Sequence, residues 1–71
     1  MSHNERVFEM MKSIAPEFVK KGVELQERLI DSGSDPEKCT VGGKSIPDAY
    51  AESAAIWAEA FVKEIERIHQ F

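Results

Sequence analysis

The sequence predicts an all-α protein, a helical hairpin that pairs with a second copy of itself into a four-helix bundle. Two long stretches with apolar residues recurring every three or four positions predict the helices. Helix-starting and helix-ending residues border both stretches. We therefore expect one domain, with a helix at about 4–32, a loop at about 33–46 and a helix at about 47–69.

The first helix is predicted to start near His3 or Asn4, because Ser2 and Glu5 have the spacing of a capping box. At 100° per residue, one apolar stripe contains Val7, Met11, Ile14, Phe18, Leu25 and Leu29. An adjacent stripe contains Phe8, Val19, Val23 and Ile30. Together they cover roughly half of the helix circumference. Gly33 predicts a left-handed residue at the helix end.

Pro16 interrupts this helix, because proline lacks the amide proton and clashes with the preceding turn. One interpretation is two helices with a break before Pro16, and the other is a single kinked helix. The apolar stripe keeps its phase from Ile14 to Phe18, which favours the kink.

The connector is longer than most loops between packed helices. Asp35 and Pro36 predict a single helical turn near its start. The segment 40–44 is expected to be extended or a turn, and too short to form a sheet. The loop either carries function or folds back over one end of the bundle, and we favour the second interpretation.

The second helix is predicted to open at Ser45, with Pro47 in its first turn and Asp48 at the third position. Its apolar arc spans roughly 160° and contains Tyr50, Ala51, Ala54, Ala55, Trp57, Ala58, Phe61, Val62, Ile65 and Ile68. The alanines allow another backbone to approach closely, and Gly22 does the same on the first helix.

Both apolar arcs are wider than one helix needs to pack on another, so an isolated hairpin would leave large side chains in water. A domain this small also needs a further source of stability besides its core, such as a disulfide or a partner chain. Cys39 is the sole cysteine, so no internal disulfide is possible. We therefore predict a homodimer, with a candidate interface of Phe8, Phe18, Val19, Val23, Ile30, Tyr50, Trp57, Phe61 and Val62. The rival is a monomer that bends at Pro16 into a three-helix bundle.

The net charge, the apolar runs and the N-terminal residues argue against several classes of function. The net charge of −4 argues against non-specific binding to nucleic acid or anionic lipid, which needs a positive surface. The longest apolar run, 54–58, is far shorter than a membrane span, and the polar N-terminus does not resemble a signal peptide. With a lone cysteine, this predicts a cytoplasmic protein.

Three short motifs have features of catalytic or ligand-binding sites. Gly42–Ser45 has the ending of a phosphate-binding loop but lacks the earlier glycine and the strand. Glu66 and His69 have the spacing of carboxylate-bridged metal sites. However, we expect Ile65 and Ile68 to face the core and Glu66 to face solvent. Cys39 has no base beside it in the sequence. We therefore expect no catalytic residues, metal or cofactor.

The leading hypothesis is a non-catalytic interaction module that binds and regulates an unknown protein. Its candidate partner surface contains Cys39, Val41, Lys44, Ile56 and Ala60. One alternative is an acidic decoy that mimics nucleic acid and blocks a nucleic-acid-binding target. A second is a small metal-binding helical bundle. Direct DNA binding is disfavoured, since no basic recognition helix is present.

Overall fold

A computed structural model describes residues 2–69 and contains two antiparallel helices joined by a structured connector. The elements are α1 (His3–Asp31), a 3₁₀ turn (Pro36–Lys38), β1 (Thr40–Val41), β2 (Lys44–Ser45) and α2 (Ile46–His69). The predicted all-α hairpin is confirmed. Neither helix within residues 2–69 combines the length and the hydrophobicity needed to cross a bilayer.

The residues predicted to cap α1 do cap it at both ends. The Glu5 amide donates to the Ser2 hydroxyl oxygen at 3.2 Å. At the other end Gly33 has a φ of +85°, which glycine adopts without a steric penalty. The Ser34 amide then donates to the Leu29 carbonyl at 2.8 Å. This hydrogen bond satisfies a carbonyl that the helix end would otherwise leave without a partner.

The α1 helix runs unbroken through Pro16. The interpretation of two separate helices is therefore wrong, and so is the three-helix bundle that depended on it. Pro16 is exposed, so its ring lies on the solvent side and the apolar stripe passes beneath it without losing register.

The connector contains a minimal antiparallel ladder, in which Thr40 pairs with Ser45 and Val41 with Lys44. Our expectation that this segment forms no sheet is wrong. Gly42 and Gly43 both have positive φ, 59° and 82°, as the two central residues of a type I′ hairpin turn require. Two residues on each side of the turn pair with each other. The second strand ends at Ser45, and α2 begins at the next residue.

The seam between the helices is built from small residues. Ala54, Ala58 and Val62 recur every fourth position on α2 and are at most 3% exposed. On α1, Gly22 is buried, and a Cβ added there would lie 3.5 Å from the Tyr50 ring. Because small residues occupy much of the contact line, many of the larger apolar side chains lie beside it.

The hairpin is a single layer of two helices, with principal extents of 50 × 20 × 16 Å. Its radius of gyration is 15.1 Å, whereas a compact globular chain of this length has one of about 11 Å. Such an elongated layer has two broad faces, and in the single chain both are exposed to solvent.

Candidate functional site

An apolar groove runs along one face of the hairpin, between α1 and α2. We call this face the front face and the depression in it the front groove; its volume is about 310 Å³. The residues that line it include Ala15, Phe18, Val19, Gly22, Val23, Pro47, Tyr50 and Ala51. None of the residues that line the front groove is charged.

Helix geometry explains why Val19 and Val23 lie beside the groove. Each follows a residue of the helix contact line, Phe18 or Gly22, and is turned 100° from it around the helix axis. Val19 is 63% exposed and Val23 45%. The two valines are one turn apart and form a ridge along the front face.

A second apolar surface lies on the other side of α2. Trp57 and Phe61 each precede a buried residue, Ala58 or Val62, and are therefore turned 100° in the opposite sense. Their ring centroids are 5.6 Å apart, and Ile65 continues the row. We call Trp57, Phe61 and Ile65 the back stripe. Ile65 lines a different groove, next to Arg6, Glu9 and Met10.

The structure therefore divides the predicted interface residues, apart from Val62, between the front face and the back stripe. Phe18 and Tyr50 are half-buried and line the front groove together with Val19 and Val23. Phe8 and Ile30 are exposed on the same stripe of α1, about three helical turns before and after Val19, and the Lys12 ammonium lies 5.4 Å above the Phe8 ring. Trp57 and Phe61 are exposed on the back stripe.

Among the predicted interface residues, Val62 does not match the expectation that an isolated hairpin leaves such side chains in water. It is 2% exposed within the single chain. Val62 lies one helical turn after Ala58 in the row that faces α1, so its side chain is already covered by the intramolecular contact.

The predicted partner surface falls into two neighbouring regions. Cys39 is half-buried and Val41 is exposed in the connector, where the Lys44 ammonium forms an ion pair with Glu52. Glu52 also lines a shallow depression on α2 that contains Ile56 and Ala60. Ile56 is 60% exposed. The Lys44–Glu52 pair therefore links the loop to the depression.

A charged cluster at the open end of the hairpin was not predicted. His3 on α1 lies between two carboxylates of α2, with Nδ1 2.6 Å from Glu66 and Nε2 2.9 Å from Glu59. The Arg6 guanidinium donates to the second oxygen of Glu66 at 2.5 Å. We call these four residues the terminal clasp.

The terminal clasp favours a protonated histidine. A carboxylate only accepts hydrogen bonds, so a ring that bonds to two carboxylates must donate from both nitrogens. The hydrogen bonds to Glu59 and Glu66 accordingly raise the pKa of His3. Burial pushes the pKa of Glu66 upward, but the hydrogen bonds from His3 and Arg6 outweigh burial, and the net shift is downward.

The expectation that Glu66 faces solvent is wrong, because its side chain is only 20% exposed and bonds across the helix interface. The error came from assigning Ile65 and Ile68 to the core, whereas they are 37% and 62% exposed. Glu66 continues the four-residue row of Ala58 and Val62, and that row was the sequence feature that could have located it. Within residues 2–69, no three His, Cys, Asp or Glu residues are arranged to hold a metal ion.

Comparison of the chain with protein-family models, curated proteins and solved structures finds no match. The candidate sites therefore rest on geometry and charge alone. The candidate sites are the front face, the back stripe, the depression at Ile56 with the adjoining loop, and the terminal clasp.

Proposed function

We propose that this protein is a non-catalytic interaction module, a helical hairpin that pairs with a second copy and regulates another protein by binding it. The observation that carries the proposal is the amount of surface that the single chain leaves uncovered. The chain exposes 5347 Å², whereas a compact monomer of 8.0 kDa exposes roughly 4,450 Å².

This excess of roughly 900 Å² is about what one partner buries in a standard protein interface, near 800 Å². The exposed surface includes large apolar side chains, since Phe8, Val19 and Ile30 are each more than half exposed. An apolar surface of this extent is typical of an association site.

The small core supports the same proposal. Among residues 2–69, the buried apolar residues are Ile46, Ala54, Ala58 and Val62, and alanine contributes little hydrophobic area. The described residues contain one cysteine, Cys39, so no internal disulfide stabilises the hairpin. A second chain supplies the missing apolar contact.

Light scattering after size exclusion tests the self-association. The proposal expects a monodisperse species of twice 8.0 kDa, or 16 kDa, at micromolar concentration. A monodisperse species of 8.0 kDa would refute it.

The surface for another protein is proposed to be the Ile56 depression and the adjoining connector. Affinity capture from the source lysate followed by mass spectrometry tests this. The proposal expects a partner that wild type retains and Ile56→Asp loses. Ile68→Asp is the matched control, because Ile68 lies on the same helix and is 62% exposed against 60% for Ile56. Equal recovery with Ile56→Asp would exclude this surface.

A further inference from the structure

We propose that the front groove is covered by the front face of a second copy, related by a two-fold axis that passes close to Val19 and Val23. The inference rests on the self-association proposed above and assigns that association to one face. The valine ridge of each copy inserts into the groove of the other.

The front face has both halves of such a contact. Val19 and Val23 line the groove and are 63% and 45% exposed. The other lining residues include the small Ala15, Gly22 and Ala51 as well as larger side chains. A two-fold interface brings the same patch of both subunits together, so the patch must complement itself. The patch combines large, exposed valines with small residues on which the partner's valines can pack, as that requirement demands.

Charge distinguishes the front groove from two other depressions of the hairpin. No charged residue lines it. The groove next to Ile65 includes Arg6 and Glu9, and the Ile56 depression includes Glu52, Glu59 and Lys63. Charged residues are depleted from the centres of interfaces, which makes the front face the best-suited of the three to lie at the centre of a dimer.

The surface area agrees with a second copy as the occupant. A standard interface buries about 800 Å² on each partner, which fits within the roughly 900 Å² by which the exposed surface of the whole chain exceeds that of a compact monomer. A two-helix layer placed face to face on another makes four helices around one apolar core. The back stripe then remains on the outer surface of the pair.

Light scattering of matched aspartate variants tests the assignment. Val19→Asp and Val23→Asp are expected to shift the protein from 16 kDa to 8.0 kDa at micromolar concentration. Trp57→Asp on the back stripe is expected to stay at 16 kDa, twice 8.0 kDa. If Trp57→Asp dissociates the pair and the valine variants do not, the front-face assignment is overturned while self-association stands.

A cysteine experiment remains informative if an aspartate variant fails to fold. In a Cys39→Ser background, Val23→Cys is expected to form a disulfide-linked dimer under mild oxidation, because the two-fold axis brings the two Val23 positions together. Ile56→Cys is the matched control and is expected to remain largely uncross-linked. Equal cross-linking of the two variants, or preferential cross-linking of Ile56→Cys, would refute the assignment.

Trp57 provides a third measurement that needs no substitution. Its side chain is on the back stripe and 54% exposed, so a front-face dimer leaves it accessible. Acrylamide quenching of its fluorescence is expected to be the same above and below the dissociation midpoint. Protection of Trp57 in the dimer would contradict the inference. A wild-type chain that is monomeric throughout would refute the self-association itself.

Discussion

At the residue scale, the least expected feature is the terminal clasp, which joins His3 to Glu59 and Glu66 across the hairpin. The sequence shows both histidines near the ends of the chain but does not show which side chains they meet. An antiparallel hairpin places its two ends side by side, so the meeting of His3 with α2 follows from the fold. The register that selects Glu66 follows from the alanine row.

The terminal clasp predicts a pH dependence of stability. The pKa of His3 is raised in the folded chain, so its contribution is fully present below the pKa of the unfolded chain, about 6.5. It is lost as the pH rises through the higher folded value. Glu66 has a lowered pKa, so its contribution is lost only as the pH falls through that lowered value.

Thermal unfolding of His3→Gln against wild type measures this effect. The difference in melting temperature is expected to be largest near pH 5–6, and to shrink as the pH rises towards 9. Arg67→Gln serves as the control, because Arg67 pairs with Glu64 within α2 and does not bridge the helices. Its profile is expected to parallel wild type. A His3→Gln difference that grows with pH would contradict the protonated clasp.

Gly22 gives a second prediction at this scale. Glycine in a helix interior costs roughly 1 kcal/mol relative to alanine, and an added Cβ would meet the Tyr50 ring at an ordinary contact distance of 3.5 Å. Gly22→Ala is therefore expected to raise the free energy of unfolding by roughly 0.5–1 kcal/mol. Urea titration measures it, with Gly22→Val, whose branched side chain overfills the site, expected to lower it. Destabilisation by alanine would show that the seam needs glycine.

At the element scale, the periodicity and the capping residues predicted both helices, because these features are local. Ser2, Gly33 and Ser45 mark the ends in the sequence, and the structure uses all three. Which part of each wide arc faces the other helix was not predictable in the same way. The arcs exceed the width of one contact, and close approach of the backbones favoured the alanine row over the larger Trp57 and Phe61.

The position of Pro16 predicts a stability effect. Proline has no amide proton to donate to the carbonyl four residues earlier, that of Lys12, and it is unfavourable in a helix interior by roughly 3 kcal/mol relative to alanine. Pro16 is exposed on an unbroken helix, so Pro16→Ala is expected to raise the melting temperature and the helical circular dichroism. Lower stability of the variant would show that α1 needs a bend at this position to keep its contacts.

At the scale of the whole molecule, the predicted hairpin is confirmed but its apolar surface is arranged differently from the prediction. The sequence suggested one broad face for a dimer. The structure divides it into a front face with Val19 and Val23 and a back stripe with Trp57 and Phe61, since the exposed part of the apolar arc lies on opposite sides of the seam in the two helices. Wheel angles within each helix could not show this, because it depends on how the two helices are rotated relative to each other.

The association proposed here links folding to concentration. Because the front face is covered only in the proposed dimer, the stability of the folded dimer is expected to increase with protein concentration. A monomeric hairpin would unfold at the same temperature at every concentration.

Thermal unfolding over an approximately hundredfold range of protein concentration therefore tests the central claim most directly. The melting temperature of wild type is expected to rise by several degrees across the range, whereas that of Val19→Asp is expected to stay constant. The account would be contradicted if wild type unfolds completely at every protein concentration and its melting temperature stays the same.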